Sequence, residues 1–174
     1  MRPEDKIIVR PEDTEDSKER SEIHSINKTA FGSQDEADLV DELRTEGVVL
    51  VSLVAEIQEQ IVGHILFSRM AIETPSGPVQ AAALAPMAVL PEYQRRGVGG
   101  RLIRHGLNLL RESGEQIVIV VGHPNYYPRF GFSSEKALSL KGPFPQDAFM
   151  AMELSPGALE GVRGTVRYPA AFKI

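Results

Sequence analysis

Apolar residues along this chain switch between two spacings. Alternating or continuous runs mark strands, and a 3.6-residue spacing marks helices. Ile7-Ile8-Val9-Arg10 reads as a short first strand, followed by a turn at Pro11-Glu12-Asp13. Asp13 or Thr14 is placed to cap a helix, with Glu15 and Asp16 near the positive end of its dipole. Ile23, Ile26, Asn27, Ala30 and Phe31 keep helical spacing up to Gly32. Ser33 and Glu36 form a capping-box pattern that opens a second helix. Leu39, Val40 and Leu43 make its apolar face, and Gly47 is placed as its C′ residue. These two helices read either as packing elements or as one wall of a substrate cleft.

Three strands follow. Val48 to Ile57 is rich in β-branched residues, Gln58-Glu59-Gln60 turns, and Ile61 to Ile72 returns, with Gly63 as a candidate bulge. Thr74 to Pro78 is a second turn, and Val79 to Leu90 completes an antiparallel meander. Pro86 cannot donate a ladder hydrogen bond, so it belongs at a bulge or where pairing stops. A strand that parts from its neighbour there leaves room for a ligand. After the basic, glycine-rich stretch Gln94 to Gly100, helical spacing resumes through Val98, Leu102, Ile103, Gly106, Leu109 and Leu110, and Gly114 ends it. Ile117 to Val121 is a continuous apolar run, expected of a strand buried on both faces and parallel to the one before the helix. His123 to Phe130 reads as a short helix or paired turns, and Gly131-Phe132 as the lead into another strand. Lys141 to Pro145 reads as a loop, Ala148 to Leu154 as a strand, and Thr165 to Tyr168 as a last short strand.

The chain has 174 residues and no repeats, which predicts one domain over 1–174, with a core at about 6–135 and strands and loops at 136–174 completing the sheet or the acceptor site. No cysteine is present, which excludes disulfides, thiol nucleophiles and cysteine-based zinc sites. The four histidines show no metal-ligand spacing, so no metal is expected. The N-terminus lacks the apolar region of a signal peptide, and no apolar run is long enough to span a bilayer. These features predict a cytoplasmic protein that does not bind membranes. A formal charge of −5 argues against a general nucleic-acid binder.

The stretch from Leu84 to Phe132 organises the rest: strand, glycine turn, helix, strand. A helix N-terminus carries unpaired N–H groups and about half a positive charge. Gly97 and Gly99 let backbone approach a phosphate, and Gln94, Arg95 and Arg96 add donors and charge. The turn lacks the Gly-Lys-Ser/Thr ending of a Walker loop, and Leu102 stands where a Rossmann fingerprint needs its third glycine.

Gln94-Arg95-Arg96-Gly97-Val98-Gly99, approached through Pro91-Glu92-Tyr93, resembles the coenzyme A pyrophosphate loop of the GCN5-related N-acetyltransferase (GNAT) family. Tyr127 to Phe132 is similar to that family's aromatic segment ending in Gly-Phe, and Gly122 to Pro128 resembles a Gly-His-Pro-x-Tyr-Tyr-Pro segment of a bacterial branch. The resemblance implies an α/β (α+β) fold: a mostly antiparallel sheet splayed open at a central parallel strand pair, with helices on both faces. It implies acetyl-CoA as cosubstrate and an unidentified amine as acceptor, with direct transfer of the acetyl group in a ternary complex. Pantetheine would pair with backbone around Met87, Ala88 and Val89, and the phosphates would meet Gln94, Arg95, Arg96, Gly97, Val98, Gly99 and Gly100. Tyr127 would donate to the departing thiolate, and Asn125 would either bond the pantetheine arm or cap a helix. Tyr126, one residue before Tyr127, is expected to face elsewhere, and Arg101 is a weaker candidate for the 3′-phosphate. An oxyanion donor is expected from a free backbone N–H near Val89. Homodimerisation is implied by the resemblance alone. An alkyl amine of pKa ~10 is only about 0.1% neutral at pH 7, so a base or water chain must take its proton. Val79 to Leu90 offers neither Glu nor His, which leaves Glu56 and His64 on the hairpin before it, His64 being the better structural residue. The alternative is an acyl-CoA-binding sensor or scaffold of the same fold without turnover.

Overall fold

The computed structural model describes residues 5–174. An eight-stranded sheet forms the frame, in the order β1 (Ile8–Pro11), β2 (Val49–Ile57), β3 (Gln60–Thr74), β4 (Gly77–Val89), β5 (Ile117–Val121), β7 (Phe149–Glu153). The short strands β6 (Leu140–Lys141) and β8 (Gly164–Arg167) pair with each other, and β8 also pairs with β3. β4 and β5 run parallel, as do β6 and β8; the other pairs are antiparallel.

Each face of the sheet buries a different set of helices. α1 (Ser17–Phe31) and α2 (Asp35–Glu46) set Ile23, Ile26, Val40 and Leu43 against Val54, Leu66 and Ala88. α3 (Val98–Glu112) sets Val98, Leu102, Ile103 and Leu110 on the opposite face, against Leu53, Ile65 and Phe67. A third apolar cluster joins Ile72, Ile117 and Ile119 to Leu140, Phe149 and Val166 of the C-terminal segment. Complete burial of one such side chain contributes roughly 1.5–3 kcal/mol.

Several boundaries differ from the sequence reading. Asp16, not Asp13 or Thr14, caps α1, accepting from Lys18 N at 2.9 Å and Glu19 N at 3.3 Å. Asp13 instead accepts from Glu15 N at 3.0 Å, a tight turn two residues long that delays the helix. The capping box does not form. Ser33 Oγ accepts from Asp35 N at 3.1 Å, Gln34 is the cap residue, and Glu36 falls too early in α2 to reach back. Phe132 opens no strand; it packs beneath Tyr127, and Ser133 makes a single bridge to Ala151. Lys141, read as loop, belongs to the two-residue β6.

The two irregularities expected of β3 and β4 are present. The β2–β3 register shifts between Ala55↔Gly63 and Glu56↔Ile61, leaving Val62 as the extra residue beside Gly63. A Cβ on Gly63 would lie 3.0 Å from Val98, so the glycine lets α3 settle onto the sheet. The β3–β4 register shifts between Ile65↔Met87 and Phe67↔Leu84, which sets Ala85 and Pro86 opposite Leu66 alone. β4 pairs with β5 only at Ala82↔Val118 and Ala83↔Ile119. Past those pairs the two strands separate, although β4 runs on to Val89 and β5 to Val121.

Candidate active site

A cleft of about 770 Å³ opens where β4 and β5 part. One wall is the end of β4, at Met87, Ala88 and Val89; its floor is the turn that starts α3. Leu90 N donates to Val62 O at 2.9 Å, on the β3 side. Strand alternation therefore turns the N–H groups of Val89 and Met87 toward the gap. Val89 O faces the same way and accepts from Gln94 Nε2 at 3.0 Å, which ties the strand end to the turn.

The turn has the backbone an anion needs. Arg95 and Gly97 both have positive φ, +63° and +85°. The first intrahelical bond of α3 runs from Arg101 N to Gly97 O at 3.1 Å. The N–H groups of Val98, Gly99 and Gly100 precede it and lie in the cleft lining at the positive end of the helix dipole. A Cβ on Gly99 would come within 2.8 Å of the Tyr126 hydroxyl.

The opposite wall is the 3₁₀ turn Tyr127–Phe130, held by bonds from Tyr126 N and Tyr127 N to His123 O at 3.1 and 3.3 Å. Tyr127 is 9% exposed and packs edge-on against Tyr126 and Phe132. Its hydroxyl makes no hydrogen bond among the described residues. Burial, with Tyr126 adding to it, pushes the Tyr127 phenol up to about 12. Giving its proton fully to a thiolate near ~8.5 would then cost about 5 kcal/mol. The side chain is fitted to donate a hydrogen bond while staying neutral.

The cleft assembles Met87, Ala88, Val89, Gln94, Arg95, Gly97, Val98, Gly99, Gly100 and Tyr127 from the sequence-derived set. Arg96, Asn125 and Glu56 are not in its lining. Arg96 stacks over Tyr93, 5.4 Å from its centroid, and Asn125 is exposed on the loop after β5. Glu56 accepts from Arg10 Nε at 3.0 Å and Nη2 at 2.7 Å, in a network with Glu19. Arg101 donates to Ile7 O at 3.1 Å, which commits it to the fold. His64 is completely buried between Ser52 Oγ (2.9 Å) and Asn27 Nδ2 (3.2 Å), and desolvation, with Arg44 adding to it, holds it down at about 3. It stays neutral and structural, away from the cleft.

Sequence reading missed several lining residues. Tyr126 was expected to face elsewhere, yet it stands in the cleft: it is the cap residue before the 3₁₀ turn, its ring 5.1 Å from that of Tyr127 and edge-on to it. His123, Arg104, Arg129, Phe130 and Phe31 join it. Arg104 lies over Phe130 at 4.9 Å and Arg129 over Tyr126 at 5.2 Å. The only signals for these were the Gly-His-Pro break and the one-turn offset of Arg104 from Gly100. No Asp or Glu lines the cleft, so its charge opposes that of the whole chain.

A parted parallel strand pair beside a helix start rich in free N–H groups has the shape and charge to hold an acyl donor carrying phosphates. Comparison with known proteins agrees. The sequence model of the acetyltransferase (GNAT) domain matches residues 13–134. The chain is 42% identical over 137 residues to the uncharacterised N-acetyltransferase YjhQ of Escherichia coli, covering 76% of each chain. It is 34% identical over 153 residues to the uncharacterised N-acetyltransferase YhbS of that organism, 86% of this chain and 90% of YhbS. The crystal structure of YhbS in complex with CoA superposes with a TM-score of 0.89 at 32% identity, over 100% of this chain and 96% of that one. A GNAT acetyltransferase of Brucella melitensis in complex with acetyl-CoA gives 0.79 at 33% identity, over 96% and 98%. The chain belongs to the GNAT family of acetyltransferases. No group of three or more His, Asp or Glu among the described residues is arranged to hold a metal. No helix among them is long and apolar enough to cross a membrane.

Proposed function

We propose that this protein transfers an acetyl group from acetyl-CoA directly to an amine bound in the same cleft. The observation that carries the reading is the gap between β4 and β5, lined by Val89, the α3 turn and the Tyr127 hydroxyl. Pantetheine binds along Met87 to Val89, and the pyrophosphate sits on the N–H groups of Val98, Gly99 and Gly100, beside Arg95. The N–H of Val89 or Met87 steadies the oxyanion. Tyr127 donates a hydrogen bond to the sulfur as the C–S bond breaks. Arg96 and Asn125 reach the coenzyme only by reorienting from the positions described. With no carboxylate in its lining, the cleft disfavours polycationic acceptors. The protein works in the bacterial cytoplasm on this reading, a placement that rests on its bacterial relatives.

Calorimetric titration with acetyl-CoA, with ATP and NADH as controls, tests the donor site. Wild type should bind the acetyl donor alone, and Gly97→Trp, which fills the turn, should lose it. Folded wild type that ignores acetyl-CoA would overturn the proposal.

A further inference from the structure

A base for the acceptor ammonium has to reach the cleft, and the side chains that line it narrow the choice sharply. No carboxylate does so. Three of the four histidines are committed elsewhere: His24 Nδ1 lies 3.0 Å from Asp41 Oδ2, His64 is sealed in the core, and His105 sits in a groove on the outer side of α3. His123 alone lines the cleft. It lies two residues past Val121, the end of the strand that has parted from β4, and its carbonyl anchors the turn that carries Tyr127. Its imidazole makes no hydrogen bond or ion pair among the described residues, so both ring nitrogens are available. The other charged or titratable side chains facing the cleft are Arg95 from the turn, Arg104 from α3, Tyr93, Tyr126, and Tyr127 and Arg129 from the 3₁₀ turn. A guanidinium has no acceptor and a phenol is a donor in its neutral form, so neither residue type serves as a base for an ammonium.

We propose that His123 is the catalytic base, taking the proton of the acceptor ammonium directly or through one water. This rests on the acetyltransferase reading above and adds the residue it lacks. The imidazole removes one proton from R–NH₃⁺ and passes it to solvent. The neutral amine attacks the thioester carbonyl carbon, the C–N bond forms, and the C–S bond breaks as the tetrahedral intermediate collapses. The second nitrogen proton goes to the sulfur, with the Tyr127 hydroxyl as relay. The products are the amide, the free thiol of coenzyme A and one proton in solvent.

His123→Gln is compared with wild type by calorimetric binding of acetyl-CoA and by release of coenzyme A with two small acceptors. Ethylamine is strongly basic and almost wholly protonated at neutral pH; 2,2,2-trifluoroethylamine is weakly basic and largely neutral. The variant should bind acetyl-CoA as wild type does, yet lose about 10²-fold in rate with ethylamine at pH ~7. With trifluoroethylamine the loss should be several times smaller. The ethylamine deficit should shrink as pH approaches ~10, where the amine deprotonates unaided. A loss equal for both amines at every pH would make His123 a structural residue and overturn the proposal, as would unchanged rates. Wild type that binds acetyl-CoA but turns over neither amine would also overturn it. Wild type that fails to bind acetyl-CoA would instead overturn the donor-site reading.

Discussion

At the residue scale, the Tyr127 hydroxyl has no partner among the described residues, so Tyr127→Phe should leave stability within about 0.5 kcal/mol while lowering kcat roughly 10²-fold. Acetyl-CoA affinity measured alongside should hardly move; an unchanged kcat would remove Tyr127 from the reaction. Gly122 shapes that tyrosine, because a Cβ there would lie 2.4 Å from Tyr127 Cε2. Gly122→Ala should therefore displace the ring and reduce kcat without contacting any ligand. Burial of His64 should make stability fall in mild acid. Its folded value of about 3 lies below the ordinary ~6.5, so the folded state binds fewer protons between those values. That stability is fully present above pH ~6.5 and falls by about 1.4 kcal/mol per unit as pH drops through the window. Urea midpoints between pH ~6.5 and ~5.5, above the carboxylate range, should show this slope, and His64→Gln should flatten it.

At the scale of elements, the spacing of apolar residues located the meander, both helices of the first segment, α3 and the parallel partner strand. The glycine turn was legible because its chemistry is local: consecutive residues supply the φ angles, the N–H groups and the charge. Cap positions were not, since Asp13, Thr14 and Asp16 all have side chains able to cap, and only tertiary contacts such as Arg10 to Glu19 choose among them. The tail was weakly legible because two-residue strands carry no period. The cleft lining was half legible for a similar reason. Tyr126, His123 and Phe31 meet only when β5 and α1 are placed in space. Gly106 shows how element packing overrides local preference. In a helix interior glycine costs roughly 1 kcal/mol against alanine, yet a Cβ here would lie 2.3 Å from Phe67 Cε2. Gly106→Ala should thus destabilise by about 1–3 kcal/mol, as overpacking does, instead of stabilising the helix. A rise in the urea midpoint would show that α3 can lift off β3 without penalty.

At the scale of the molecule, the proposed coenzyme site lies where the sheet is least continuous. β4 and β5 share two residue pairs, and the two halves of the sheet are otherwise held by α3 on one face and the C-terminal cluster on the other. A ligand lying in the gap touches β4, the α3 turn and the turn after β5 at once, so it should brace both halves. Binding to the folded state alone adds about 2.7 kcal/mol at a ligand concentration 100 times Kd. For a chain of this size that corresponds to a rise in Tm of roughly 5–10 °C. The arginines of the cleft lie within a chain of net charge −5, so attraction for the phosphates is local and acts over short range. The Tm rise at fixed acetyl-CoA should therefore shrink as salt is raised from ~0.05 to ~0.5 M. Dephospho-coenzyme A, which lacks the 3′-phosphate, should give a smaller rise if Arg104 and Arg129 reach that group, and an equal one if only the pyrophosphate turn binds. Differential scanning calorimetry across that salt range separates the cases. A shift independent of salt would place the binding energy in the pantetheine contacts along Met87 to Val89, and a shift absent altogether would mean that the gap between the strands is not where the donor lies.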